Sequence, residues 1–189
     1  TFLEQKICDI DVIISEAKAS IEEYKAWKAS IIYEAVTKGL DPDTEMKDSG
    51  VEWIGHIPNS WEVIPFTKGI ASIVDYRGKT PEKVSEGVFL VTARNIKDGV
   101  INYTLAQEYV KASEYEEIMR RGRPEIGDVL FTTEAPLGEV ANVDRTDFAL
   151  AQRVIKFRAK PEMLDNYYLK YWIMSAGFQQ NLYTFEEIW

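Results

Sequence analysis

The first third of the chain has a regular spacing of apolar residues. Between residues 7 and 35 they recur at alternating steps of three and four, as in the seam of a coiled coil. The seam positions are Ile7, Ile10, Ile14, Ala17, Ile21, Tyr24, Ile31 and Ala35, with Lys28 as the single exception. This spacing predicts one helix from about Lys6 to Lys38, ended by Gly39. The seam predicts a partner helix, from a missing part of the protein or from a second chain.

The spacing of apolar residues changes after Gly39. Residues 40–60 are rich in Asp, Gly, Pro and Ser, but Trp53 and Ile57 would be costly to leave in water, so we expect an ordered connector. From Trp61 onward, β-branched and aromatic runs alternate with turn residues. They predict strands at 62–65, 71–75, 88–92, 128–132, 140–143 and 153–158. Short helices are expected at 113–121 and 161–174, with Gly177 breaking a further one.

The predicted fold class is therefore α+β. It comprises a long N-terminal coiled-coil helix (1–39), the ordered connector (40–60) and a β-rich domain with short helices (61–189). The net charge of −9 argues at first against a nucleic-acid partner. However, all eight arginines lie beyond residue 60, so a local basic face is possible on an acidic molecule.

The composition also narrows the classes of function. The single Cys8 excludes an internal disulfide, and no apolar run approaches the roughly 20 residues of a membrane span, which predicts a soluble cytoplasmic protein without a membrane partner. With one His and one Cys, a zinc site built from those residues is excluded, and His56 has no catalytic neighbours. No nucleotide-binding glycine motif is present. We therefore expect no metal, no cofactor and no enzymatic activity.

Four segments have the composition of nucleic-acid contact surfaces. Arginine and lysine can bind phosphates, and arginine and asparagine can bind guanine and adenine edges. The candidate contacts are Arg77, Gly78, Lys79 and Thr80; Arg94, Asn95 and Lys97; Arg120, Arg121 and Arg123; and Thr132 and Thr133. Each segment also has an ordinary interpretation, namely a solvated turn, a capped turn in which Asn95 binds its own backbone, or a solvated helix end.

The connector resembles a known family. Val36-Thr37-Lys38-Gly39-Leu40, Lys47 to Pro58, and Trp61-Glu62 resemble the central conserved region of the DNA specificity subunit of type I restriction-modification enzymes. Leu3-Glu4-Gln5 is similar to the start of that family's spacer helix. Gly127 to Phe131, Gly138 and Gln152 to Ile155 resemble marks of its target recognition domains, and Arg153 joins the candidate contacts on this basis.

The resemblance implies a function. In that family two recognition domains read the halves of a split DNA site, while two antiparallel helices set their spacing and hold methylation subunits. This chain then looks like a fragment with one spacer helix and the second target recognition domain. It is expected to be a non-catalytic subunit in defence against foreign DNA. The expected partners are double-stranded DNA, methylation and restriction subunits, and a second spacer helix or a homodimer partner. The alternative is a coiled-coil assembly module without DNA sequence specificity.

Overall fold

The computed structural model describes residues 1–76 and 81–186, with backbone alone for 183–186, and begins with one long helix. Helix α1 spans Phe2–Lys38, 37 residues, and therefore extends about 55 Å. Thr1 caps its first turn by accepting a hydrogen bond from the Glu4 amide. Gly39 ends it at a φ of 79°, a conformation that glycine adopts without strain. The helix begins about four residues before the predicted start.

The connector forms a small hairpin. Strand β1 (Met46–Asp48) pairs antiparallel with β2 (His56–Pro58), and Lys47 lies opposite Ile57. Ile57 is 4% exposed, in agreement with the high cost of leaving an isoleucine in water.

The domain that follows contains two four-stranded sheets and a second hairpin. Its strands are β3 (Ile70–Asp75), β4 (Lys83–Val84), β5 (Val88–Val91), β6 (Ile96–Lys97), β7 (Val100–Ile101), β8 (Tyr109–Val110), β9 (Val129–Thr133), β10 (Leu137–Asn142), β11 (Phe148–Leu150) and β12 (Val154–Ala159). One sheet has the antiparallel order β10-β9-β12-β3. The other has the order β11-β5-β8-β4, with β11 parallel to β5. Strands β6 and β7 form the hairpin.

Short helices flank these sheets. They are α2 (Phe66–Gly69), α3 (Tyr115–Ile118), α4 (Asn166–Met174) and α5 (Ala176–Glu186). Helix α4 begins five residues later than predicted, because the Asp165 carboxylate accepts hydrogen bonds from the amides of Tyr167 and Tyr168 and caps the helix there. The predicted α+β fold class, a long helix followed by a β-rich domain, is confirmed.

Two local predictions are wrong. Residues 62–65 form no strand; Val63 and Ile64 instead line a cavity, and Pro65 precedes α2. Gly177 does not break a helix but lies inside α5. A glycine is needed there because a Cβ atom would come within 2.7 Å of the Trp53 ring. The glycine thus permits a tryptophan of the connector to pack directly on the helix backbone.

Candidate nucleic-acid interface

The junction of α1 with the domain fixes where the domain sits relative to the helix. Val36 and Thr37 are the two buried residues of α1. The Tyr168 hydroxyl on α4 donates a hydrogen bond to the Val36 carbonyl at 2.9 Å, and Trp61 packs edge-on against the Tyr168 ring with centroids 5.5 Å apart. A cavity of about 720 Å³ lies between α1, the connector and α4. Only the last turn of the helix is therefore held by the domain.

The predicted seam lies on the free part of α1. Its large apolar side chains are about half exposed or more, from 45% for Ile14 to 67% for Tyr24. Ala35, next to the junction, is the one seam residue that is partly covered. Ile13 and Trp27 flank the seam and are each 63% exposed, so the apolar stripe is wider than the seam alone.

The segment after β5 forms a short 3-10 helix, Ala93–Asn95, that turns Asn95 inward. The Asn95 side-chain oxygen accepts hydrogen bonds from the amide and the hydroxyl of Thr92, each at 2.9 Å. Its side-chain nitrogen donates to the carbonyls of Asn102 and Ala106 at 3.1 and 2.8 Å. Asn95 is 0% exposed, so the structure supports the capped-turn interpretation and removes Asn95 from the accessible contacts.

Arg94 and Lys97, from the same segment, are exposed. The Arg94 guanidinium is 63% exposed and pairs with the Glu108 carboxylate. Glu108 also forms an ion pair with Lys83 at 2.7 Å, so one carboxylate pairs with two cations. Lys97 lies on β6 and is exposed. This segment therefore exposes the predicted contacts Arg94 and Lys97, whereas the predicted contact Asn95 is buried.

The arginine cluster at residues 120–123 lies beside the end of β3. Arg121 donates a hydrogen bond to the Asp75 carbonyl at 2.6 Å, and the Tyr76 hydroxyl donates to the Gly122 carbonyl at 2.5 Å. Asp75 and Tyr76 directly precede the predicted contacts Arg77, Gly78, Lys79 and Thr80, which lie outside the described residues. The fold thus brings the arginine cluster close to the residue that leads into this segment, although the two are more than forty residues apart in sequence.

The β9–β10 hairpin and Arg153 form another candidate group. Arg153 adopts a φ of 74°, an uncommon value for a side chain other than glycine, and its guanidinium pairs with Glu134 at 3.2 Å. Its carbonyl accepts the Thr133 amide at 3.0 Å. Thr132, however, is 0% exposed, and its hydroxyl accepts the Glu139 amide at 3.0 Å. Thr132 is therefore a packing residue, whereas Arg153 is accessible.

A buried ion cluster supports the sheet beneath these loops. Asp128, 1% exposed, accepts Lys156 at 3.1 Å and the Arg158 guanidinium at 2.7 Å. Burial by itself raises the pKa of Asp128, but the hydrogen bonds from Arg158, the Glu125 amide and Lys156 together outweigh burial and hold that pKa below its usual value. Asp128, which directly precedes β9, therefore has a structural role: it ties the start of β9 to Lys156 and Arg158 on β12.

Sequence reasoning missed one arginine that the fold places among aromatic rings. The Arg145 guanidinium carbon lies 3.8 Å from the centroid of the Tyr103 ring and 5.8 Å from that of Phe89. Tyr103 is 42 residues away in the chain, so no local motif indicates this contact. The one available signal is the polar run Asp144 to Asp147 between two predicted apolar segments.

The described part of the chain contains neither a cluster of metal ligands nor a helix that could span a membrane. In residues 1–76 and 81–186, no group of three His, Cys, Asp or Glu side chains is arranged to hold a metal ion. Over the same ranges, no helix has both the length and the apolar character needed to cross a bilayer.

The structure thus combines a long helix that has an exposed apolar seam with a β-rich domain, joined at one end of the helix, whose loops carry exposed arginines. Comparison with known proteins finds a similar protein. The chain is 26% identical over 191 residues to the type I restriction enzyme MjaVIII specificity subunit of Methanocaldococcus jannaschii. That match covers 93% of this chain and 42% of the relative, so the chain spans about two fifths of the relative's length. The resemblance to type I specificity subunits, predicted from the connector, is confirmed.

A solved structure is also similar to the chain. The crystal structure of the HsdS subunit from Thermoanaerobacter tengcongensis matches with a TM-score of 0.47 and 14% identity, covering 85% of this chain and 35% of that one. No family model matches the sequence.

Proposed function

We propose that this chain acts as a specificity subunit, or half of one, that reads DNA sequence and directs methylation and restriction subunits to a split site in the cytoplasm. The observation that carries the proposal is the similarity to a specificity subunit along 93% of the chain, from the helix through the β-rich domain. The relative is named as a specificity subunit, and such subunits are non-catalytic. In this proposal the chain therefore directs the catalytic subunits to DNA and is not itself an enzyme.

The proposed division of labour follows the proposed domains. Residues 1–39 form the spacer, 40–60 the connector and 61–189 the target recognition domain. The exposed seam of α1 supports the spacer role, because a stripe of half-exposed isoleucines is stabilised when a second helix covers it. The occupant is the second spacer helix of a complete subunit or, for this chain alone, the same helix of a second copy.

Charge favours an antiparallel arrangement for two copies. In a parallel pair, Lys28 of one helix would face Lys28 of the other inside the seam, and two like charges would be buried together. In an antiparallel pair that sets Ile21 against Ala17, Lys28 instead meets Ile10.

The same antiparallel register matches the residues beside the seam. It brings Lys6 of one helix next to Glu34 of the other, and Lys25 next to Asp11. Interhelical pairs at these flanking positions set the orientation of coiled coils. The antiparallel register therefore brings these opposite charges together and avoids the buried Lys28 pair, with Lys18 beside Lys18 of the second copy as its one like-charge contact next to the seam.

Thiol cross-linking distinguishes the two orientations. In a Cys8→Ser background, Ser20→Cys places two thiols side by side in the antiparallel register, whereas Lys28→Cys does so in the parallel one. We expect a short thiol-to-thiol cross-linker to join Ser20→Cys chains and not Lys28→Cys chains. The opposite pattern would contradict the antiparallel arrangement.

The proposed DNA contacts are the accessible cations of the recognition domain. Those that the structure shows exposed are Arg94, Lys97, Arg120, Arg121, Arg123 and Arg153. Arg77, Lys79 and the hydroxyl of Thr80, which lie outside the described residues, are added from the sequence. Several already pair with carboxylates, such as Arg123 with Glu116 at 2.6 Å and Arg120 with Glu117 at 3.4 Å. Such exposed pairs contribute little to stability because water screens them, so a phosphate can replace the carboxylate at little cost.

Selection from random DNA tests the proposal. The chain is mixed at low salt with a pool of randomised duplexes, alone and together with methylation subunits, and the bound fraction is sequenced. We expect enrichment of one short motif, stronger with the methylation subunits present. A pool that stays random in both conditions would contradict sequence reading.

Single substitutions then separate base contacts from phosphate contacts. Arg94→Ala should relax preference at one base pair by about 1 to 3 kcal/mol if Arg94 reads a base edge. Lys79→Ala should lower affinity equally on every sequence and flatten the salt dependence by about one unit. Uniform weakening by Arg94→Ala would reassign Arg94 to the phosphate contacts.

The second candidate function is a coiled-coil assembly module whose domain binds protein. The wide apolar stripe of α1 and the net charge of −9 favour it. A chain that forms a stable helical complex but enriches no DNA sequence would support this candidate over the first.

A further inference from the structure

The loop between β10 and β11 holds an arginine in a fixed position. Besides lying over Tyr103 and Phe89, the Arg145 side chain pairs through its Nε with the Asp147 carboxylate at 3.2 Å. Its distance of 3.8 Å to the Tyr103 centroid is the shortest between a cation and a ring within the described residues. The side chain is nevertheless 44% exposed, so part of its hydrogen-bonding edge is open.

The surface beneath Arg145 is built from packed aromatic rings. Phe89 and Tyr109 lie opposite each other in the β5–β8 register, and their ring centroids are 5.6 Å apart. Tyr103 packs against Phe89 at 5.5 Å, and its hydroxyl donates a hydrogen bond to Asp144. An arginine stacked on such a platform loses little side-chain entropy when it binds a ligand.

The charges around Arg145 distinguish the kind of ligand. Asp144 and Asp147 flank it in the loop, so the four residues 144–147 carry a net charge of −1. A phosphate would be repelled by both carboxylates. A guanine edge is uncharged and presents two acceptors, N7 and O6, that match the guanidinium fork.

We propose that Arg145 reads a guanine edge in the major groove, with Asp147 as its positioning residue. This inference rests on the proposed function, since it adds a base contact to the recognition domain. It differs from the phosphate contacts above in its expected signature: Arg145 sets preference at one base pair, whereas a phosphate contact changes affinity equally on every sequence.

Three variants test the proposal through selection from random DNA and through salt titration on the selected duplex. Arg145→Lys keeps the charge and loses the planar fork, Asp147→Asn keeps the fork and weakens its support, and Thr146→Ala is the control in the same loop. For Arg145→Lys, preference for guanine at one position should fall by about 5- to 150-fold. The salt slope should stay unchanged because lysine keeps the charge, so a loss of preference reflects the lost planar fork and not a lost charge. Asp147→Asn should give a smaller loss at the same position, and Thr146→Ala none.

The outcomes separate this inference from the proposed function. If the wild-type chain enriches a motif and Arg145→Lys enriches the same motif with equal strength, the inference is overturned and the proposed function stands. If Arg145→Lys weakens binding equally on all sequences, Arg145 does not read a base. If the wild-type chain enriches no motif, both fail. Circular dichroism and the unfolding midpoint of each variant show that the domain remains folded.

Discussion

Helix α1 and the domain that follows it distribute apolar and charged side chains in opposite ways. The helix leaves Ile7, Ile10, Ile14 and Ile21 about half exposed. The domain buries its apolar residues in two clusters and even encloses an ion cluster around Asp128. An exposed apolar surface can bind another chain, whereas a core whose apolar side chains are buried and whose charges are paired needs no partner. The comparison supports the proposal that association acts through the helix, whereas the domain has a core of its own.

The largest expected effect comes from a charge in the seam. Ile21→Glu should abolish self-association through α1, because each of two copies loses a buried isoleucine worth about 1.5 to 3 kcal/mol. The loss of association free energy is therefore about 3 to 6 kcal/mol. Light scattering over a range of concentrations measures it, and Glu22→Gln, off the seam, is the control. A variant that associates like the wild type would show that another surface holds the copies together.

The next effect concerns the interior of the domain. Asp128→Asn should destabilise the domain by about 3 to 5 kcal/mol, because Lys156 stays buried without its carboxylate. Glu125→Gln is the matched control: its carboxylate also pairs with Arg158, but it is 69% exposed, and the expected loss is below about 1 kcal/mol. Denaturant unfolding measures both. Equal, small losses would mean that the buried cluster does not anchor the sheet.

A smaller effect is expected where the connector meets the domain. Gly177→Ala should cost about 1 to 3 kcal/mol, because the new Cβ atom displaces the Trp53 ring. Alanine favours helix over glycine by up to about 1 kcal/mol, which partly offsets the loss. Combining it with Trp53→Leu should recover part of the stability in the same unfolding assay. If Gly177→Ala alone stabilises the chain, the contact between Trp53 and α5 is not tight.

The smallest effect concerns pH. The folded-state pKa of Asp128 lies below the ordinary aspartate value of 3.8, so its charge contributes stability above that value, and the contribution is lost as pH falls through the lower folded-state pKa. The stability gap between wild type and Asp128→Asn should therefore narrow as urea unfolding is repeated at decreasing pH below 3.8. A gap that stays constant across this range would indicate that Asp128 titrates as it does in the unfolded chain.

Several features were predictable because they are local. The spacing of three and four along α1 predicted the helix and the exposed seam, since the period of a helix follows from its own backbone. The runs at 71–75, 88–92 and 153–158 each lie within one residue of an observed strand at either end. The connector motif led to the resemblance to type I specificity subunits, which the comparison with a known subunit confirms. The shortest strands, such as β4 and β8, have only two residues each and carry too little pattern to be predicted.

The sequence by itself therefore determined the helix, its unpaired seam, the α+β class and the resemblance to specificity subunits. Only the tertiary structure decided which polar residues face inward and which remain accessible. Asn95 was a candidate base reader until the fold surrounded it with the carbonyls of Asn102 and Ala106. Arg145 gained its position from Tyr103, 42 residues away. Helix periodicity depends on neighbours a few residues apart, whereas a side chain's accessibility depends on distant segments that packing brings together.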